Sequence, residues 1–367
     1  MKRLLSPGVV LFCLSPMVGE LLSGATPPLR FINPISLILE GLLYGGGALL
    51  VRELTFRWGK GWPTLLVLGA AYGIIKEGLL CKSFFNPLWP DLGPLGVYGR
   101  WGGVNWVWSV ELTIYHAFVS IAIPITIVGL LFPDRRRTAW AGRAGLVVVA
   151  VLFVADVLFG FLAFGPDSSG ADHPYRPPLV PVLGSLAIIV GLVALANRLP
   201  APAPAAESGP VRKVGAVRFF LAGFLGIFLF FFACWVLPNL KYPLSPAPAA
   251  APAAGMTTAT LEFHPVVPIA AALALVACGL WTVWRLSKRG AAWTDMHAWA
   301  LCAGGLTLFV LLSGLHEMNK SSPKNMTGMS LVGLATVVFL VILARRIRRR
   351  QACARVQPPT ETPVTPI

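Results

Sequence analysis

The chain has 367 residues, 56% of them hydrophobic and only 12% charged, with a mean hydropathy of +0.73. Soluble domains carry about 25% charged residues, so a water-facing exterior is excluded, and with it a soluble enzyme, a secreted disulfide scaffold and a disordered chain. The net charge of +15 lies mostly in short runs between apolar segments, which fits orientation in a membrane and not a nucleic-acid surface.

A helix must span about 30 Å of hydrocarbon, which takes about 20 residues. Ten apolar runs qualify, at about 4–22, 35–52, 63–81, 105–132, 144–164, 179–198, 216–237, 265–285, 297–316 and 326–344. Backbone polar groups must be paired inside lipid, and these runs are too long and continuous for barrel strands. The pattern therefore predicts an all-α polytopic transmembrane bundle of about ten spans, integral to the membrane. With the N-terminus in the cytoplasm, 22 of the 30 Lys and Arg fall on the inner side and 7 outside, with Lys76 left within a span. Both termini are accordingly expected in the cytoplasm, and the location is expected to be a bacterial cytoplasmic membrane.

The first run follows a basic Met1-Lys2-Arg3 and precedes Ser23-Gly24-Ala25, a pattern shared with signal peptides. Pro7, Pro16 and Glu20 interrupt it and the following residues stay apolar, so a retained helix is expected; cleavage would leave nine spans. The second and third runs carry Gly41-x-x-x-Gly45 and Gly69-x-x-x-Gly73, spacings that let helices approach closely. Ionisable groups crowd the first five runs: Glu20, Glu40, Lys76, Glu77, Glu111, His116 and Asp156. Each costs at least about 2.5 kcal/mol in hydrocarbon and needs a reason. By topology, Glu20, Glu40, Lys76, Glu77 and Glu111 fall in the outer leaflet and His116 nearer the midplane, which predicts a polar site opening away from the cytoplasm. In the fourth run Glu111 and His116 lie about 140° apart around the helix, so both cannot face one narrow pocket. Tyr115 is expected to hydrogen-bond Glu111 or Glu40. Pro124 is expected to kink this long span.

Between the third and fourth runs, Ser83–Asn105 is rich in aromatics, Gly and Pro. It reads either as an interfacial aromatic belt or as a lid over the site, with Asp91 and Arg100 as its polar contacts. The last five runs hold no ionisable group in their interiors; His297, His316 and Glu317 sit at their ends. The chain thus divides into 1–135 (four helices with the candidate site), 136–198 (helices five and six), a Pro/Ala linker at 199–215, a scaffold half at 216–350, and a disordered tail at 351–367. A second Pro/Ala stretch covers Ser245–Gly255. The RRIRRR stretch ending at Arg350 is expected to lie against anionic headgroups. Six cysteines show no CxxC spacing, and neither a metal nor another cofactor is expected.

The segments LLYGGGALLVREL (42–54), GAAYGIIKEGLLCKSFFNP (69–87) and NWVWSVELTIYH (105–116) resemble an uncharacterised family of bacterial polytopic membrane proteins, over about residues 15–135. That resemblance implies no activity. A fainter similarity is to CAAX-processing glutamic intramembrane proteases, whose Glu-Glu-x-x-x-Arg helix and later histidines activate water. Here Lys76-Glu77 stands in place of Glu-Glu, Lys82 follows in place of the Arg, and His116-x-x-x-Ser120 replaces His-x-x-x-Asn. The first Glu of that motif is absent here, and the assignment is not carried over.

Three functions fit the residues. The leading one is a transporter or permease for an unknown small solute, with Glu77 or Glu111 carrying protons or binding a cation. The second is an intramembrane hydrolase or transferase using Glu77 as base and His116 as acid or orienter, although no HExxH or GxSxG is present. The third is a non-catalytic scaffold or partner subunit, in which the buried acids serve assembly. The oligomeric state is not set by the sequence.

Overall fold

The computed structural model describes residues 6–164, 174–202, 215–239, 241–243, 260–288, 293–319 and 324–356. The Ser245–Gly255 stretch, most of the first Pro/Ala linker, Lys2, Arg3 and the chain beyond 356 lie outside the described residues. Ten principal helices follow the ten apolar runs: α1 Pro7–Leu21, α2 Pro34–Arg57, α3 Trp62–Leu80, α4 Trp106–Leu131, α5 Arg143–Ala163, α6 Leu179–Arg198, α7 Ala216–Val236, α8 Val266–Lys288, α9 Asp295–Met318 and α10 Met329–Val356. Eight are long and apolar enough to cross a membrane; α1 and the apolar part of α8, Val266–Thr282, are shorter. The protein is an all-α polytopic bundle. Its described strands are two short antiparallel pairs, Arg100–Trp101 with Val104–Asn105 and Lys241–Pro243 with Thr260–Glu262. Helix α10 runs to Val356, so the first residues of the expected polar tail are helical. The Gln351–Cys353 stretch contains no helix breaker, and the helix continues through it.

Local sequence explains where several helices begin. Ser6 and Asn33 accept hydrogen bonds from Val9 N–H and Ile35 N–H, and each is followed by a proline at the first helical position. Asn105 caps α4 through Trp108 N–H while its amide donates to the carbonyls of Leu95 and Tyr98, tying the preceding loop to the helix start.

Helix α4 is the centre of the bundle: 72% of its most apolar window is buried, against 11% for α6. Two apolar clusters meet on it. One joins Leu11, Tyr44, Leu68, Tyr72, Ile121 and Phe153. The other joins Val18, Tyr115, Ile127, Leu306 and Leu343. Glycines set the closest crossings. A Cβ on Gly45 would strike the Phe12 backbone of α1, one on Gly69 would lie 2.9 Å from Ala117 Cα of α4, and one on Gly304 of α9 would meet the Phe220 carbonyl of α7. The two GxxxG motifs therefore join α2 to α1 and α3 to α4. Between α2 and α3 the close contact is instead Gly47 against the Tyr72 ring.

Each of the first four helices contains a widened π turn: Met17–Leu21, Gly41–Gly46, Ile75–Leu80 and His116–Ala122. A fifth lies at Phe232–Val236 in α7. The bond from Cys81 N–H to the Lys76 carbonyl, 2.8 Å, shows the i to i+5 pattern. Pro124 has no N–H to offer the Ser120 carbonyl one turn back, and that carbonyl accepts from the Ser15 hydroxyl of α1 at 2.7 Å. The proline that ends the π turn thus also fixes α1 against α4.

One end of the bundle is stapled by charge. Arg52 donates to buried Glu53 and to the carbonyls of Arg136 (2.9 Å) and Thr138 (2.6 Å), with its guanidinium 4.0 Å from the Trp140 ring centroid. Glu53 in turn accepts from Trp140 N–H at 2.8 Å. Removing one member of a buried pair strands the other, so Glu53→Ala is expected to cost about 3–5 kcal/mol, while an apolar replacement of both Arg52 and Glu53 costs less. Thermal unfolding in detergent checks the order of the two.

Candidate functional site

Glu20 and Glu77 find their partners next to the π turns. Glu77 lies at the centre. Its Oε1 accepts from Lys76 Nζ at 2.6 Å and faces His116 Nε2 at 3.0 Å, and its Oε2 accepts from the Ser83 hydroxyl. Trp108 Nε1–H donates to the same Ser83 oxygen at 3.1 Å. On the far side of the imidazole, His116 Nδ1 meets Ser120 Oγ at 2.8 Å. The geometry assigns the proton to Nε2, facing the carboxylate, and makes Nδ1 the acceptor of the Ser120 hydroxyl. Glu77, His116, Ser83 and Ser120 are all buried. The protein thus replaces the water shell of a carboxylate with three donors drawn from α3, α4 and the loop between them.

Aromatic rings enclose this network. The centroids of Tyr44, Tyr72 and Tyr115 lie 5.9, 5.9 and 5.0 Å from that of His116. Lys76 Nζ is 5.7 Å from the Tyr44 centroid, within cation–π range. The Tyr72 hydroxyl is buried with no hydrogen-bond partner among the described residues. Gly19 presses on the same place: a Cβ there would lie 2.7 Å from both Ser120 Oγ and Tyr44 Cε1.

The other candidates have different surroundings. Glu20 is held by the Tyr44 hydroxyl at 2.6 Å and by Thr26, and shares the Tyr44 ring with Lys76. Glu40, partly exposed, interacts electrostatically with Glu20, Lys76 and Asp156. Asp156 is buried on α5 with its Oδ2 lacking a hydrogen-bond partner among the described residues. Glu111 points away from His116: one oxygen accepts from Trp235 Nε1–H of α7, and the other has no partner among the described residues. The expected bond from Tyr115 to Glu111 or Glu40 does not form. Its hydroxyl donates to the Gly19 carbonyl at 2.9 Å, because its face of α4 packs on the π turn of α1.

The two lid candidates fasten the loop. Asp91 pairs with Lys324 at 2.6 Å, and the same ammonium donates to the Ala25 carbonyl at 2.9 Å. Arg100 donates to the carbonyls of Phe85 and Gly96. Neither side chain hydrogen-bonds the Glu77 network among the described residues. Phe84, Phe85, Leu92, Leu95, Val107 and Trp108 form a small apolar core of their own under this segment. At its start Lys82 takes φ 60°, a left-handed turn that swings Ser83 back toward Glu77, while its buried ammonium donates to the Phe161 carbonyl at 2.6 Å. Burial pulls the Lys82 pKa below its ordinary value.

Sequence reasoning omitted Tyr44, Tyr72 and Ser83 from the site and noted Ser120 only in passing. A signal for the tyrosines was present: a phenol within an apolar run needs a partner for its hydroxyl, and each stands four residues from a listed ionisable group, Glu40 or Lys76. Ser83 had none, since only the turn at Lys82 brings it back. Among the described residues no cluster of three or more His, Cys, Asp or Glu has the arrangement of a metal site.

A family model described as an uncharacterized membrane protein family matches residues 9–256. The chain belongs to this family. A curated relative, the acurin A biosynthesis cluster MFS-type transporter of Aspergillus aculeatus, is 24% identical over 276 residues, covering 68% of this chain. The chain spans 47% of that relative's length. No solved structure matches it. The family match covers α2–α7 and all but the first two residues of α1, and with them the whole of the Glu77 network.

Tyr44→Phe keeps the ring but removes the donor to buried Glu20. It is expected to lower stability by about 1–3 kcal/mol, read as a reduced unfolding temperature in detergent.

Proposed function

We propose that this integral membrane protein is a proton-coupled transporter of a small solute, with Glu77 as the proton-carrying group. One observation carries the reading: a buried carboxylate oxygen is shared between an ammonium and an imidazole, in a hydrogen-bonded row from Lys76 through Glu77 and His116 to Ser120. Protonation of Glu77 removes the charge that holds both neighbours. Lys76 loses its ion pair, and the proton on His116 Nε2 loses a charged acceptor. One proton therefore alters the preferred placement of α3 against α4 and of the loop carrying Ser83, which is the coupling that a proton-driven cycle needs. The π turns beside these residues supply backbone that can revert to ordinary helix.

The solute path in this reading runs past Glu20 of α1 and Glu40 and Tyr44 of α2, and opens away from the cytoplasm. The distribution of Lys and Arg supports cytoplasmic termini, and the location in this reading is a bacterial cytoplasmic membrane. The printed name of the fungal relative speaks of transport for that protein and lends the reading weak support. The 3.0 Å contact between Glu77 and His116 favours a second reading, an intramembrane hydrolase with Glu77 as base and His116 as its partner.

Reconstitution distinguishes the two. Liposomes holding the protein, given an acid-outside gradient and a fractionated pool of small metabolites, are expected to accumulate a solute until a protonophore is added. Glu77→Gln is expected to slow that uptake by on the order of tenfold or more. Uptake by Glu77→Gln at the wild-type rate would remove Glu77 from the role. Product formation in detergent, with no gradient and abolished by His116→Ala, would favour the hydrolase.

A further inference from the structure

The last turns of α10 carry a feature that the transport reading does not use. Ile342, Arg345, Arg346, Arg349 and Arg350 line a surface cavity of about 350 Å³. On a helix, residues 346 and 350 continue one row of i, i+4 neighbours, and 345 and 349 the adjacent row, so four guanidinium groups share one face. Among the described residues no carboxylate ion-pairs with any of them. Asp134 and Asp295 interact electrostatically with Arg350, and Asp295 is already engaged bidentately by Arg136 at 2.8 Å for each oxygen. Arg350 is half-buried: its Nη1 donates to the Leu130 carbonyl of α4 at 3.1 Å, while its Nη2 is buried and has no hydrogen-bond partner among the described residues.

The two rows continue in the other direction as apolar, exposed side chains. Leu334, Val338 and Ile342 lead to Arg346 and Arg350, and are 60%, 49% and 58% exposed. Val337 and Val341 lead to Arg345 and Arg349 in the same way, both 42% exposed. A ligand fitting both parts has a phosphate at one end and a hydrocarbon chain at the other. Guanidinium pairs phosphate oxygens bidentately, and four unneutralised cations on one face call for an anion.

We propose that this pocket is a binding site for an anionic phospholipid, its phosphate among Arg345, Arg346, Arg349 and Arg350 and an acyl chain along Leu334, Val338 and Ile342. Because Arg350 also holds the Leu130 carbonyl, the lipid bears on the join between α10 and α4. This inference is independent of any role for Glu77.

The full-length protein in nanodiscs of phosphatidylcholine, titrated with phosphatidylglycerol and followed by native mass spectrometry, tests it. The wild type is expected to retain phosphatidylglycerol in preference to phosphatidylcholine. Arg345→Gln and Arg349→Gln are each expected to weaken retention roughly fivefold. Arg348→Gln removes the same charge from a residue that does not line the pocket, and is expected to leave retention unchanged. Equal losses in all three variants, or none in the first two, would overturn the site in favour of diffuse surface attraction. Displacement of the lipid by millimolar inorganic phosphate would overturn the lipid assignment and make the pocket a site for soluble phosphate. A variant that fails to fold is replaced by Arg349→Lys, which keeps the charge but loses the fork; retention should fall there too.

Discussion

A carboxylate placed in hydrocarbon must be solvated by the protein or lose its charge, and the arrangement of α3, α4 and the loop between them answers that requirement at Glu77. Its donors come from three places: the preceding residue Lys76, His116 on α4, and Ser83 beyond the helix end. The His116 and Ser83 contacts cannot be made without fixing α3 against α4 and folding the loop back over them. Glu20 repeats the solution on a smaller scale, with Tyr44 and Thr26 as its donors. Such buried pairs add little net stability, because desolvation offsets their attraction; their effect is on geometry, since a partner out of place leaves a bare charge behind.

The backbone had to be adapted to allow this. An ordinary helix advances 100° per residue, and the π turns of α1 to α4 change that phase where Glu20, Tyr44, Glu77 and His116 sit. A proline and several glycines complete the adjustment. Pro124 releases the Ser120 carbonyl to Ser15, and Gly19, Gly45, Gly69 and Gly73 let main chains and rings approach where any side chain would collide. Polar recognition and close packing are therefore the same event here, a consequence of helices that gain nothing from expelling water against lipid and associate through contact and hydrogen bonds.

Helix α4 joins the parts of the molecule that bear chemistry. It presents His116 toward α3, Glu111 toward Trp235 of α7, Ser120 and Tyr115 toward α1, and the Leu130 carbonyl toward Arg350 of α10. A shift of α4 would therefore be felt at the basic end of the bundle as well as at the acids. The expectation that Glu111 and His116 diverge around the helix agrees with the partners each finds, and it divides the polar residues into a network at Glu77 and a separate contact at Glu111.

The sequence by itself determined the class of fold: apolar runs of the right length, with charges between them, leave no soluble alternative, and each of the ten runs is helical. It also pointed to the third of the chain where buried ionisable groups gather, because a charge within an apolar run is visible one residue at a time. Tertiary structure decided which of those groups meet. Glu77, His116 and Ser83 are brought together by the left-handed turn at Lys82 and by the phase change of two π turns, neither of which leaves a periodic signature in the sequence. The partners of the GxxxG faces were equally unreadable, since a small-residue stripe states that a helix approaches closely but not which one. Tyr115 shows the limit most plainly: its need for a partner was legible, but the Gly19 carbonyl that meets it belongs to a helix nearly a hundred residues earlier, placed there by packing alone.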